Sequence, residues 1–149
     1  MADVLKAAIV GFQHMHMFDI YAQLNKRGDV EIVAVCEEDL QSRTQLETAG
    51  EISVTHTNFQ QMLEIVDFDL LVVGAVFARR GALIRAALEA GKHVYVQKPM
   101  THTIEQAIKL RRKAERCEGQ VVQVGPQGTG EWIYWSTNDL IKKGQIGDV

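Results

Sequence analysis

The chain has 149 residues, the size of one domain, and its 46% hydrophobic and 23% charged residues are those of a folded globular protein rather than a disordered one. A net charge of −3 implies no basic face for nucleic acid or anionic lipid, and no apolar run reaches the roughly 18 residues needed to span a bilayer. Cys36 and Cys117 suggest neither a disulfide framework nor a metal site, and the N-terminus lacks the layout of a signal peptide, so the expected setting is a reducing cytoplasm and the expected organisation one domain over 1–149.

Val4 to Val10 is an apolar run of strand length without strict alternation, which suits a strand buried on both faces of a parallel sheet. Gly11 follows, and apolar residues then recur at helical spacing through Ile20, Tyr21 and Leu24 until Gly28 and Asp29 stop the helix. Val30 to Cys36 is the second strand, with Glu37, Glu38 and Asp39 just past its end. Leu40 to Ala49 carries helix formers and ends at Gly50, and Ile52 to Thr55 reads as a short third strand. Asn58, with Gln61 at the capping-box position, opens a helix to about Val66. Leu70 to Val73 is the most apolar strand, Gly74 to Ala78 a break, and Arg79 to Ala90 an Ala- and Leu-rich helix closed by Gly91.

Lys92 to Thr103 reads as a buried strand, a polar break and a helix start. Val94, Tyr95 and Val96 suit a pleated, packed setting, and Pro99 ends the strand because it has no backbone donor. Thr103 and Gln106 complete a capping box for a helix to about Glu118. Gln120 to Val124 is a sixth strand, Gly125 to Gly130 a loop, Glu131 to Lys143 a last helix and Gly144 to Val149 a tail. Strands alternating with helices mean an α/β fold with a doubly wound parallel sheet, and the right-handed crossover rule selects the order 3-2-1-4-5-6.

In such sheets ligands bind at the carboxyl ends of the strands. The turn after the first strand is where a G-x-G-x-x-G fingerprint cradles a pyrophosphate against a helix N-terminus. Here Gly11, Phe12, Gln13 and His14 occupy that turn, with Gln13 in the second glycine's place and His16 in the third's. The Gln13 side chain crowds the approach of a phosphate. His14 and His16 either touch phosphate or simply line the helix start; further ligands for a metal between them are not indicated, and no metal site is expected. Glu37 has the place of the acid that accepts from the adenosine ribose hydroxyls and repels a 2′-phosphate, which favours NAD over NADP; the alternative is a solvated acidic loop. Arg43 lies close enough to keep NADP open. Arg79, followed by Arg80, either reaches phosphate or substrate or forms a solvated helix start. Lys98 lies at a strand's carboxyl tip, where it is either a ligand-facing group or an ordinary loop lysine.

Together these residues resemble the N-terminal domain of the glucose–fructose oxidoreductase, inositol dehydrogenase and rhizopine-catabolism (Gfo/Idh/MocA) family. The matching pieces are Ala8-Ile9-Val10-Gly11, Val33-Ala34-Val35-Cys36-Glu37, Ala87 through Val94, Lys98-Pro99-Met100 with Thr103, and Gly144 through Val149. The resemblance covers essentially the whole chain and is most specific over Gly91 to Met100. It implies a Rossmann fold, a nicotinamide dinucleotide as cofactor, and hydride transfer at a hydroxyl-bearing carbon of a sugar, cyclitol or similar substrate. It makes Lys98 the candidate catalytic lysine, in a Lys98-Pro99 bond that is often cis in the family. It places Ala75 and Val76 on the nicotinamide-side ribose and Gln127 near the nicotinamide.

Gln97 stands where the family motif has glutamate and keeps the capacity to hydrogen-bond cofactor or backbone. The resemblance also implies a second α/β domain carrying the substrate pocket and oligomer interface, which this chain lacks. A polyol-type substrate is therefore expected only if such a domain is supplied. The competing reading is a non-catalytic nucleotide-binding or self-associating module. Trp132, Tyr134 and Trp135 beside Ile133, Leu140 and Ile141 give the last helix an apolar surface, so homo-oligomerisation is expected.

Overall fold

The computed structural model describes residues 4–147. Five parallel strands form one sheet: β1 (Leu5–Val10), β2 (Val30–Cys36), β3 (Leu70–Val73), β4 (His93–Gln97) and β5 (Val122–Gly125), in the order β2-β1-β3-β4-β5. Six helices connect or follow them: α1 (His16–Asn25), α2 (Leu40–Ala49), α3 (Phe59–Ile65), α4 (Phe77–Glu89), α5 (Ile104–Ala114) and α6 (Trp132–Lys142). The sheet is the expected doubly wound one, with the outermost expected strand reduced to a single isolated bridge.

That strand was expected at Ile52 to Thr55. The segment runs alongside β2 but makes only a parallel bridge between Cys36 and His56. The reason lies in Thr55. Its hydroxyl accepts from Val35 N–H at 3.0 Å, so a side chain takes the donor a backbone ladder would use, while Val35 C=O still accepts from Thr55 N–H at 2.9 Å and His56 N–H at 3.0 Å. Ile52 still buries its side chain in the core.

The central strands are covered on both faces, which is why they carry apolar runs rather than alternation. Ala8, Val10, Leu71, Val73, Val94 and Val96 face α3, α4 and α5 through Met62, Leu83, Ile84 and Leu110. Ile9, Val35 and Val72 face α1 and α2 through Met17 and Leu46. Beyond α1 this second face is only partly covered, and Leu70, Val72 and Tyr95 floor a groove of about 470 Å³ against Ile20 and Leu24.

Side-chain caps open three of the six helices, α2, α3 and α5. Thr103 accepts from Gln106 N–H at 3.2 Å and Asn58 from Gln61 N–H at 2.9 Å, as their sequence patterns predict. Such caps contribute about 1 kcal/mol each. Other boundaries shift. The helix expected straight after Gly11 begins only at His16, because the intervening residues form the first turn of the crevice below. α4 begins at Phe77, two residues before Arg79, and α5 ends at Ala114 in a run of turns rather than near Glu118. The last strand takes in Gly125, and Gln127–Gly130 forms a 3-10 turn where loop was expected. α6 has no buried residue; Trp132 is 78% and Trp135 67% exposed. Asp148 and Val149 lie outside the described residues.

Candidate functional site

The chain leaves β1 toward β2 and then returns past β1 to β3. The loops after β1 and β3 therefore diverge, and a crevice opens between them at the carboxyl ends of the strands. Its floor is a contact between two backbones. Gly11 has φ +82°, and a Cβ there would overlap the backbone of Ala75; a Cβ on Gly74 would overlap the side chain of Met17. The first turn and the loop after β3 are thus pressed together, with Gly11 N–H donating to Cys36 C=O at 2.9 Å and Gly74 N–H to Val10 C=O at 2.8 Å. Gln13 crosses the crevice, and its Oε1 accepts from Val76 N–H at 2.9 Å. The bridge lies between a cleft of about 270 Å³ that reaches the tip of β2 and one of about 160 Å³ beside His14, Phe77 and Arg80.

The first cleft is acidic. Glu37 is 1% exposed, and its carboxylate is turned into the fold. Oε2 accepts from Phe12 N–H at 2.7 Å and Oε1 from Asp39 N–H at 3.0 Å. Backbone dipoles therefore compensate this buried charge, as burial requires. Phe12 itself is a core residue, edge-on to Phe18 and Tyr21, and its N–H is committed to Glu37. Glu38 takes a two-point ion pair from Arg79, at 2.8 Å from Nε and 3.1 Å from Nη2, and also accepts from Phe59 N–H at 3.1 Å. The Arg79 hydrogen bond holds the Glu38 carboxyl below its ordinary range against the opposing effect of burial, and the same bond raises Arg79. Asp39 caps α2 through Ser42 N–H at 2.8 Å. Cys36, beneath these acids, is pushed up to about 12 by burial, then by Glu38 and Glu37, so it is an inert thiol at neutral pH.

The second cleft is cationic. Arg80 is fully buried, with no carboxylate among its hydrogen-bond partners. Its Nε donates to Ala75 C=O at 2.6 Å, and its Nη1 donates at 2.7 Å to both Gln97 C=O and Pro99 C=O. The second Nη has no partner. Arg80 thus ties the loop after β3 to the two residues flanking Lys98 and lies against the Phe77 ring, 4.8 Å from its centroid. Burial pulls its pKa down from the ordinary guanidinium value. Lys98 is half-buried and joined to Pro99 by a cis peptide bond. Its N–H donates to Gln97 Oε1 at 3.2 Å, so the glutamine folds back on the lysine turn. His14 stands near enough to be affected: burial lowers its pKa, and the charges of Lys98, His16 and Arg80 lower it further. The His14 and His16 rings lie 4.8 Å apart. No group of three or more His, Cys, Asp or Glu that could hold a metal occurs among the described residues.

Most sequence-predicted positions converge on this crevice. Gly11, Gln13, His14, Ala75 and Val76 line it. Glu37 and Phe12 support it from below, and Gln97, Lys98 and Pro99 form the neighbouring tip of β4. The Gln127 side chain lies outside what the structure describes; its backbone is in the turn after β5. Two residues carry more than the sequence reading gave them. Arg80, to which the sequence assigned no role, is a buried tie, and the signal was its spacing to Leu83, Ile84 and Ala87 on one helix face. Glu38 is engaged by Arg79, 41 positions away, for which no local signal exists.

The geometry fits a dinucleotide. The crevice sits at the switch point of the sheet, α1 opens onto it without a side-chain cap, and acids stand at the tip of β2. The Gln13 bridge crosses the space a dinucleotide would take. A family model described as an oxidoreductase family with an NAD-binding Rossmann fold matches residues 5–126. A 1-carboxy-3-chloro-3,4-dihydroxycyclohexa-1,5-diene dehydrogenase from Comamonas testosteroni is 26% identical over 145 residues, which cover 97% of this chain and 36% of that protein. An inositol 2-dehydrogenase from Salmonella typhimurium is 24% identical, with 96% and 43% covered. A scyllo-inositol dehydrogenase from Lactobacillus casei, solved with bound NAD(H) and scyllo-inositol, superposes with a TM-score of 0.82 at 20% identity, covering 98% of this chain and 43% of that one. The chain thus spans less than half the length of each of these relatives.

Proposed function

The chain belongs to the Gfo/Idh/MocA oxidoreductase family, whose Rossmann fold binds NAD, and on that premise we propose that it is the nucleotide-binding part of an enzyme passing hydride between NAD and a hydroxyl-bearing carbon of a sugar, cyclitol or similar substrate. The observation that carries this reading is the crevice at the switch point, with Lys98 held at the next strand tip by Gln97 and by the Arg80 tie. The nicotinamide, when bound, supplies the hydride acceptor or donor. The first turn and the Ala75-Val76 backbone hold the dinucleotide along the crevice. Glu37 fixes the first turn through Phe12 and gives the adenosine end its negative charge. Lys98 Nζ orients the substrate hydroxyl and takes or returns its proton. Gln97, Pro99 and Gln127 shape the nicotinamide end.

A polyol-type substrate needs a further domain to present it to Lys98. The exposed apolar side of α6 supports homo-oligomerisation, and light scattering that finds only monomer at high concentration would oppose it. No helix among the described residues is long and apolar enough to cross a membrane, and a cytoplasmic setting agrees with that composition. A second reading, a nucleotide-binding module without catalysis, draws support from the Gln13 bridge across the crevice.

Titration with NADH, followed by nicotinamide fluorescence, tests the binding claim; absence of saturable binding up to millimolar concentration sinks it. Lys98→Ala tests the catalytic one. It should lower turnover by roughly 10²–10⁴-fold while leaving NADH affinity in place. Turnover untouched by that substitution assigns the proton transfer elsewhere.

A further inference from the structure

We propose that Glu38 decides between the two nicotinamide dinucleotides by holding Arg79 away from a 2′-phosphate. The proposal rests on the dinucleotide reading above and goes beyond it in naming a selectivity residue.

Two guanidinium groups stand at the acidic end of the crevice, and both are engaged. Arg43 donates to Glu37 C=O at 3.1 Å. Arg79, in the first turn of α4, gives both Nε and Nη2 to the Glu38 carboxylate. Glu38 and Arg79 line the same cleft as Glu37, and their side chains are 30% and 45% exposed, so the pair forms the rim and is open to a ligand. A two-point guanidinium fork suits a phosphate as well as a carboxylate. With Glu38 ionised, the fork is filled and the rim carries no net charge from the pair. With Glu38 neutral, the fork opens and the rim gains one positive charge where the acid tip of β2 would otherwise repel a 2′-phosphate. Glu38→Gln makes this change gently, because its amide oxygen still accepts from Phe59 N–H at the start of α3.

The test is a fluorescence titration of NADH and NADPH against the unmodified chain, Glu38→Gln, Arg79→Met and the double variant, with thermal unfolding followed by circular dichroism for each. The unmodified chain should prefer NADH. Glu38→Gln should shift the NADPH-to-NADH affinity ratio toward NADPH by about tenfold or more, a difference of about 1.4 kcal/mol. The double variant should return the ratio to within about twofold of the starting one. Arg79→Met alone should keep NADH binding and weaken NADPH, a readout that holds even if Glu38→Gln unfolds. An unmoved ratio in folded Glu38→Gln overturns the proposal. So does a gain that survives in the double variant, since acid repulsion alone would then explain it. If the unmodified chain binds neither nucleotide, the dinucleotide reading falls too; NADH binding with an unmoved ratio sinks only the role of Glu38.

Discussion

The two ends of the crevice solve one problem in opposite ways. At the β2 tip the buried charge is negative, and Glu37 is compensated by two backbone N–H groups. At the β3 and β4 tips it is positive, and Arg80 is compensated by three backbone carbonyls. Neither buried charge is paired with the other. Each instead locks loops that belong to different strands, so stability and site geometry rest on the same hydrogen bonds. The difference lies in what is left over. The acidic end has its carboxylate oxygens engaged, whereas the cationic end keeps Lys98 and one Nη of Arg80 without a carboxylate partner.

This contrast can be broken from either side. The largest effect should come from Arg80→Met, which leaves three carbonyls at buried or half-buried positions without their donor. We expect a loss of about 3 kcal/mol in urea unfolding, with Arg80→Lys recovering part of it. If Arg80→Met costs nothing, the tie between the loops is not structural. Next is Glu37→Gln, which keeps an acceptor for one N–H but loses the charge. A loss of about 2 kcal/mol and roughly tenfold weaker NADH binding are expected. Affinity that stays level would show that the adenosine end does not use this acid.

A smaller change of opposite sign is expected from Gln13→Gly. It removes the bridge to Val76 N–H and opens the crevice, so NADH should bind about threefold tighter by calorimetry. Weaker binding would mean that Gln13 contacts the cofactor instead of obstructing it.

The smallest effect is a pH dependence from His14. Burial and the nearby charges of Lys98, His16 and Arg80 hold its folded-state pKa below the ordinary imidazole value, so the unfolded chain binds the proton more readily. Stability is then fully present above about 6.5 and declines as pH falls toward the lowered folded-state value. His14→Asn should flatten that slope in urea midpoints measured across the window. A slope unchanged by the substitution would place its origin in another group.

Much of this was legible in the chain. Apolar runs marked five sheet strands, Thr103 and Asn58 marked helix starts, and the spacing of Gly11 from Glu37 marked the crevice. The misses share a cause. Thr55 takes the Val35 N–H of a strand ladder with its hydroxyl, which depends on what lies beside Val35 in space. Arg80 carries no role in the sequence until the helix around it turns its guanidinium toward the carbonyls of another loop. Glu37 is marked by its place after β2, but that its carboxylate also holds Phe12 N–H shows only in space.

The sequence by itself determined the alternation of strands and helices, the doubly wound class, and the residue types gathered at the strand tips. These follow from periodicity, turn chemistry and capping, all of which act within a few residues. Only the tertiary structure decided how the charges at those tips are spent. Buried charges take whatever dipoles the fold brings within about 3 Å. Arg80, Glu37 and the Glu38–Arg79 pair each meet a partner 17 to 41 positions away that no local pattern announces.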